Sequence, residues 1–127
     1  MPNGEAVDME FDGVQLRWGT DSWPGISGGF GRGRAPAVLY RVERRQIVPM
    51  SAGIAPGFRD PTTGMGFFVP ITPLFPTTRS GLGIHPDGNP PGTQGCIGLT
   101  ARTAAFYNRI RNTPVSANLR LRVLKCQ

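Results

Sequence analysis

The sequence predicts a mainly β fold with a single α-helix near its end. Glycine and proline (18 and 13) together account for 31 of the 127 residues, a share that favours short strands joined by many turns over a helical bundle. Several segments alternate apolar and polar residues, as half-buried strands do, and one segment has the apolar period of a helix. A chain of this length is expected to form one domain, 1–127, with its own hydrophobic core.

A β-hairpin is predicted near the start of the chain. Val7–Phe11 and Val14–Trp18 each alternate apolar and polar residues, and Asp12-Gly13 between them has the composition of a two-residue turn. The next segment, Gly19–Arg34, contains six glycines and is predicted to be a loop.

Short strands are predicted at five further positions. They are Ala37–Val42, Ile47–Met50, Gly66–Ile71, Gly81–His85 and Leu119–Val123. Proline has no backbone N–H, so Pro70 restricts the third of these to a sheet edge or a strand end. The aromatic pair Phe67-Phe68 within it is expected to belong to the core. The chain as a whole is therefore expected to contain six or seven strands.

The single helix is predicted over Ala101–Arg111, with Thr100 as its N-cap. The predicted apolar stripe, spaced i, i+4, i+7 and i+11, consists of Leu99, Thr103, Phe106 and Ile110. Most of the arginines in this segment fall outside that stripe and are expected to face solvent.

The composition limits the possible functions. The net charge is +6, and thirteen of the fourteen positive residues are arginine. A basic surface suits nucleic acid, an anionic membrane or an anionic wall polymer, with an ordinary solvated surface as the alternative. No nucleic-acid-binding motif is present, so we expect no nucleic-acid partner. No apolar run approaches the roughly 20 residues of a membrane span, and the polar N-terminus does not resemble a signal peptide, so we expect synthesis in the cytoplasm without membrane insertion.

The stretch Arg79–Thr100 contains the residues best suited to chemistry. It holds His85, the only histidine, and Cys96, one of two cysteines, joined by a loop rich in glycine and proline. Such a loop can fold back tightly, and a histidine within hydrogen-bond reach favours the thiolate of a cysteine nucleophile. If the two residues pair as imidazolium and thiolate, the pKa of the imidazole rises and that of the thiol falls.

The surroundings of Cys96 favour a catalytic interpretation. The helix-like composition that follows predicts that Cys96 precedes a helix N-terminus, a position that lowers a thiol pKa. Gly95 permits a close backbone approach, so its N–H and that of Cys96 could face a developing oxyanion. A zinc site using His85, Asp87 and Cys96 is the alternative, but the ligand set is thin, and no metal or other cofactor is expected. Cys126, at the chain end, is expected to be reduced and dispensable.

At these residues the sequence resembles the catalytic domain of the L,D-transpeptidases, the YkuD-type family. That family carries a histidine, a glycine-rich loop and then Ser/Thr-x-Gly-Cys-Ile/Val, matched here by His85 and by Thr93–Ile97. The short loop resembles the compact branch found among type VI secretion effectors that attack peptidoglycan. Phe11–Leu16, the Ser27-Gly28 pair and the order of the elements resemble the same branch.

The resemblance implies a β-sandwich or barrel with one α-helix after the catalytic cysteine. It also implies that His85 takes the proton of Cys96, whose thiolate attacks the bond between the third residue and D-Ala of a peptidoglycan stem peptide. The backbone carbonyl of Pro86 would orient the imidazole, with Asp87 as the rival orienting group. Water would complete a carboxypeptidase reaction, and an amine would complete a transpeptidase or D-amino-acid exchange reaction.

Two departures from the family pattern affect the expected substrate contacts. The family usually has Arg or Asn after Cys-Ile/Val, where this chain has Gly98, so Arg79 or Arg102 is expected to bind an anionic group of the substrate. Thr93 and Gln94 are expected to contact the substrate as well. The family's Gly-Pro-x-Pro-x-Gly-x-Tyr turn is eroded here to residues 34–40.

The resemblance also implies a biological setting. The expected protein is an antibacterial effector toxin, delivered to the periplasm or cell wall of a target bacterium. Its expected partners are peptidoglycan stem peptides, a cognate immunity protein and a component of a secretion system. The alternative is a non-catalytic basic module that binds wall polymer, or a phage or secretion-particle component that has kept the fold.

Overall fold

The computed structural model of the protein describes residues 7–27, 39–74, 81–88 and 97–124. Within these ranges the chain forms nine strands and one α-helix, α1 Thr103–Arg111, which confirms the predicted mainly β class. Two short 3-10 turns cover Arg44–Gln46 and Pro56–Phe58. The strands are β1 Met9–Phe11, β2 Gln15–Trp18, β3 Asp21–Ser27, β4 Leu39–Val42, β5 Val48–Ser51, β6 Gly66–Pro73, β7 Gly83–Pro86, β8 Ile97–Leu99 and β9 Arg120–Val123.

Eight of these strands close into a barrel. Their order is β4-β9-β1-β2-β3-β8-β7-β6, and β6 pairs with β4 to complete the circle. The β1–β9 and β7–β8 pairs are parallel, and the other neighbours are antiparallel. β5 is the ninth strand. It pairs with the first residues of β6, whereas β4 pairs with the last residues of β6. Closure gives each barrel strand a neighbour on both sides and an inward-facing row of side chains for the core.

β6 lies inside the sheet although it contains Pro70. β7 pairs with one of its edges, and β4 and β5 pair with the other. The prediction that Pro70 restricts this segment to an edge or a strand end is therefore wrong. Its carbonyl still accepts a hydrogen bond from the N–H of Glu43 at 2.9 Å, and the ladder lacks only the donor that proline does not have.

The segment predicted as a glycine-rich loop, Gly19–Arg34, contains strand β3. Trp23 and Gly25 are buried in it and their neighbours are more exposed, which is the alternation of a half-buried strand. A Cβ at Gly25 would lie 3.1 Å from the carbonyl oxygen of Gly98. This inward-facing position therefore carries no apolar side chain that would have marked it as buried, and so the strand was missed. Residues 28–34 of the predicted loop lie outside the described residues.

The predicted hairpin of β1 and β2 is confirmed, with its turn shifted by one residue. The N–H of Asp12 donates to the carbonyl of Gln15 at 3.1 Å, so Gly13 and Val14 are the two loop residues. Gly13 has a φ of +99°, which glycine adopts without strain. The Asp12 carboxylate accepts hydrogen bonds from the backbone of Val14 and Gln15 and from Arg17. Burial opposes ionisation of Asp12, but these interactions outweigh it and lower the pKa of the carboxyl.

The helix packs one face against the core. Thr103, Phe106 and Ile110 are its buried residues, which confirms that part of the predicted apolar stripe. Phe106 lies edge-on to Trp23, with ring centroids 5.2 Å apart. Leu99 is also buried, but it belongs to β8 rather than to the helix.

The helix begins two residues later than predicted, at Thr103. Its N-cap is Arg102, in the left-handed conformation with a φ of +52°, and not Thr100. The N–H of Thr100 donates to the carbonyl of Pro24 at 2.9 Å, so Thr100 still continues the pairing of β8 with β3. No helix among the described residues has the length and apolar character needed to cross a membrane.

Candidate active site

His85 lies on the outward face of the barrel wall, in the middle one of three adjacent strands. It belongs to β7, which pairs with β6 on one side and with β8 on the other. Side chains alternate along a strand, so the buried Ile84 faces the core and His85 faces the opposite side. His85 is nevertheless only 1% exposed, because other side chains cover it.

The imidazole of His85 is oriented by the backbone. Its Nδ1 lies 2.7 Å from the carbonyl oxygen of Pro86. A carbonyl can only accept a hydrogen bond, so Nδ1 carries the proton, and in the neutral ring Nε2 is the nitrogen left to accept one. The structure thus contains the contact predicted for Pro86. That this contact serves catalysis stays a prediction.

Burial lowers the pKa of His85 from 6.5 to about 4, and the hydrogen bond to Pro86 opposes only part of this effect. The ring is therefore neutral at pH 7. Removing the ring from water disfavours its charged form. The expected rise of the imidazole pKa applied to a pair with the Cys96 thiolate, and since Cys96 lies outside the described residues, that pairing stays a prediction.

Two phenylalanine rings cover the imidazole of His85. The ring centroid of Phe58 lies 4.5 Å from that of the imidazole, and the near-parallel ring of Phe68 lies 5.9 Å away. The pair Phe67-Phe68, predicted to belong to the core, is split by the alternation of β6. Phe67 is fully buried in the core, whereas Phe68 points to the face that carries His85.

The 3-10 turn Pro56–Phe58 brings the ring of Phe58 over β7. The N–H of Gly88 donates to the carbonyl of Gly57 at 3.1 Å and attaches the turn to the end of that strand. A Cβ on Gly88 would lie 2.2 Å from the carbonyl oxygen of the turn's first residue. A Cβ on Gly66 would lie 2.0 Å from the carbonyl oxygen of Phe58. Both positions therefore require glycine for the turn to approach this closely.

Glycines also shape the face around His85. A Cβ on Gly83 would lie 2.3 Å from the ring of Phe68, so that ring packs directly on the backbone of β7. Gly98 is the partner of His85 in β8. A Cβ there would lie 3.1 Å from Cβ and 3.2 Å from Oδ1 of Asp87. The side chain of Asp87 therefore occupies the space that a side chain at position 98 would take.

Arg102, a predicted substrate-binding residue, is held away from His85. Its guanidinium donates to the carbonyl of Ser22 in β3, and β8 separates β3 from β7. It borders a groove of about 310 Å³ whose other lining residues are Asp60, Thr62, Thr63, Thr100, Ala101, Thr103 and Ala104. The contacts of the described residues do not bring Arg102 and His85 together.

The other predicted site residues, Arg79, Thr93, Gln94, Gly95 and Cys96, lie outside the described residues. The expectation that Cys96 precedes a helix N-terminus is wrong, because Ile97 opens strand β8 and the helix starts only at Thr103. Ile97–Leu99 is short and apolar, and such a run cannot be assigned to strand or helix from its period alone. The first helical residue of α1 therefore comes seven positions after Cys96 in the chain.

Sequence reasoning missed Phe58 and Phe68 as part of the site. Phe58 is 27 residues from His85 in the chain, within a segment that reads only as turn-rich. The adjacent pair Phe67-Phe68 was the available signal, since two neighbouring large rings in one strand must face opposite sides. Within 7–27, 39–74, 81–88 and 97–124, no group of three or more His, Cys, Asp or Glu side chains is arranged to hold a metal ion.

Comparisons with known proteins do not identify a family. No protein-family model matches the chain. A search of curated proteins finds no significant similarity. Function must therefore be inferred from the site and from the motif around it.

Proposed function

We propose that this protein is a cysteine-dependent acyl-transfer enzyme that acts on peptidoglycan stem peptides, as L,D-transpeptidases do. The observation that carries the proposal is the buried, oriented imidazole of His85 beside the first residues of β8. Cys96 is the residue that precedes this strand in the chain. The resemblance of His85 and Thr93–Ile97 to the YkuD-type motif supports the same assignment.

The register of β7 and β8 supports a short distance between the two proposed catalytic residues. Ile97 pairs with Ile84, and Gly98 pairs with His85. Neighbouring Cα atoms are about 3.8 Å apart along a chain, and side chains at i and i+2 share one face of a strand. If the alternation of β8 extends back by one residue, Cys96 shares the face of Gly98 and therefore that of His85.

In the proposed reaction, Nε2 of His85 accepts the proton of the Cys96 thiol as the sulfur attacks the carbonyl carbon before D-Ala. The tetrahedral intermediate collapses to a thioester, and the imidazolium returns the proton to the nitrogen of the departing D-Ala. Water then hydrolyses the thioester, or an amine takes the acyl group. Since the imidazole is neutral at pH 7, we assign the proton transfer to the attack itself rather than to a step before it.

The remaining expected roles belong to the same proposal. The N–H groups of Gly95 and Cys96 would stabilise the oxyanion of the tetrahedral intermediate, and Thr93 and Gln94 would contact the stem peptide. Of the two candidate arginines, we favour Arg79 for the anionic group of the substrate. The guanidinium of Arg102 is already engaged by a carbonyl of β3, two strands from His85.

The proposed biological role is that of an antibacterial effector. The short loop between His85 and Cys96, similar to that of the peptidoglycan-targeting type VI effectors, is the feature that supports it. Such a protein would be made in the cytoplasm and act in the periplasm or cell wall of another bacterium. A secretion-system component and a cognate immunity protein would be its partners.

Mass spectrometry of peptidoglycan fragments tests the proposed activity. Incubation with the protein is expected to shorten tetrapeptide stems to tripeptides, to exchange their terminal D-Ala, or to cross-link them. The Cys96→Ala variant is expected to leave the stems unchanged. A non-catalytic wall-binding module or particle component would leave the stems unchanged with both proteins, and that result would overturn the proposal.

A further inference from the structure

The ring of Phe58 covers a histidine that faces away from the barrel core. Because His85 points to the outward face of the wall, its burial depends on what packs onto that face. Phe68, on the neighbouring strand, covers part of the imidazole with a near-parallel ring 5.9 Å away. Phe58 makes the closer contact, at 4.5 Å, with its ring plane tilted by 52°.

We propose that Phe58 is a positioning residue for His85, and that the turn Pro56–Phe58 holds its ring against the imidazole, fixes the imidazole plane and excludes water from that side. The inference rests on the proposed function, in which His85 must present Nε2 to the thiol of Cys96. The effect of Phe58 on the imidazole of His85 can be measured without any substrate.

The turn is anchored at its middle residue and again just after its last residue. On one side, Gly88 donates a backbone hydrogen bond to Gly57, with no room for a Cβ between the two segments. On the other side, Asp60 accepts a hydrogen bond from the hydroxyl of Thr103 at 2.7 Å, which ties the chain after Phe58 to α1. These contacts fix the position of Phe58 independently of any contact that its own ring makes.

In the part of the chain that the structure describes, the charged groups nearest to His85 along the packed elements are Arg59, Asp60 and Asp87. Arg59 donates to the carbonyl of Ala52, and Asp60 is held by Thr103. Asp87, two residues after His85, packs its side chain against Gly98. β6 and β8 contain no charged residue. Among the described residues, the imidazole thus contacts two apolar rings and the carbonyl of Pro86.

Titration of the His85 ring by NMR tests the proposal, because the protein has only one histidine and its imidazole signals are unambiguous. The comparison is between the wild type, Phe58→Ala and Phe58→Leu. Phe58→Ala opens the covered side to water, so its titration midpoint is expected to rise towards 6.5 by about one pH unit or more. Phe58→Leu keeps much of the apolar cover and is expected to lie between the wild type and Phe58→Ala.

Phe67→Leu is the matched control. Phe67 is a phenylalanine of the same region but packs in the core against Phe106 and Tyr107, so its loss should lower stability without moving the midpoint. An unchanged midpoint in Phe58→Ala, or an equal rise in Phe67→Leu, would overturn the proposal. A raised midpoint in Phe58→Ala together with undiminished turnover by Cys96→Ala would leave the positioning of His85 intact and overturn the proposed function instead.

Discussion

Nδ1 of His85 lies 2.7 Å from the carbonyl oxygen of Pro86, the next residue of the same strand. This hydrogen bond from the side chain to the backbone assigns the proton of the neutral ring to Nδ1 and leaves Nε2 as the acceptor. The contact needs only the carbonyl, so the proline at position 86 does not prevent it. Together with the covering aromatic rings, it defines a neutral, oriented imidazole on the outer face of the barrel.

The buried imidazole makes the stability of the fold depend on pH. The pKa of His85 is about 4 in the folded protein against 6.5 for the ordinary side chain, so between these values the unfolded chain binds more protons. Stability is fully present above pH 6.5 and falls as the pH drops to about 4, by about 3 kcal/mol from this residue. Urea unfolding at a series of pH values measures this change in the free energy of unfolding. His85→Gln should flatten the dependence over this window, and an equally steep dependence in that variant would contradict the assignment.

His85 is also expected to control the reactivity of the thiol. In a Cys126→Ser background, iodoacetamide modifies Cys96 as the only cysteine. A proton acceptor beside the thiol shifts its reactivity to lower pH, whereas an ordinary cysteine has a pKa near 8.5. The curve of alkylation rate against pH should therefore lie at lower pH for the protein that retains His85 than for the His85→Gln variant. Superimposable profiles would show that His85 does not activate Cys96.

Gly98 and Asp87 are expected to be energetically coupled. A Cβ on Gly98 would come within 3.1 Å of the Asp87 side chain, so Gly98→Ala should cost about 1 kcal/mol of unfolding free energy. The same substitution in an Asp87→Gly background should cost much less, because the contact is removed. A double-mutant cycle by urea unfolding measures the coupling. Strictly additive effects would mean that Asp87 does not limit the residue at position 98.

Two arginines in the last turn of α1 should differ in their effect on stability. Arg109 donates to the carbonyl of Trp18, pairs with Asp21 and lies 4.2 Å above the Trp18 ring. Arg111 lies 5.7 Å from the ring of Tyr107 on an exposed face. Arg109→Met is expected to lower the unfolding free energy by about 1–3 kcal/mol, and Arg111→Met by less than about 0.5 kcal/mol. Equal losses would show that the Arg109 contacts contribute little.

The elements that were predicted correctly are those whose side chains carry a visible period. The hairpin of β1 and β2 and the buried face formed by Thr103, Phe106 and Ile110 belong to this group. Strand β3 was missed because Gly25 occupies an inward position without a side chain, and β8 because three apolar residues have no readable period. In each case the tertiary pairing, rather than local preference, determines the structure.

The candidate site was predictable in part for a similar reason. The contact of His85 with Pro86 was implied by the family resemblance, and it joins neighbours in sequence. The cover by Phe58 depends on a turn that crosses from another part of the chain, and its position is made possible by the close approaches at Gly66 and Gly88. The low pKa of His85 follows from its burial, which depends on tertiary packing and was likewise beyond local reasoning.

Trapping the acyl-enzyme is the most direct test of a Cys96 nucleophile assisted by His85. The Cys126→Ser protein is mixed with a soluble tetrapeptide stem fragment, quenched in acid and analysed by intact-mass and peptide mass spectrometry. We predict an added mass equal to the fragment minus D-Ala, located on Cys96, released by hydroxylamine as a thioester should be, and absent from Cys96→Ala. Release of D-Ala at an undiminished rate by Cys96→Ala would contradict the assignment of Cys96 as the nucleophile. Release of D-Ala by the wild type without any acyl group on Cys96 would contradict it as well.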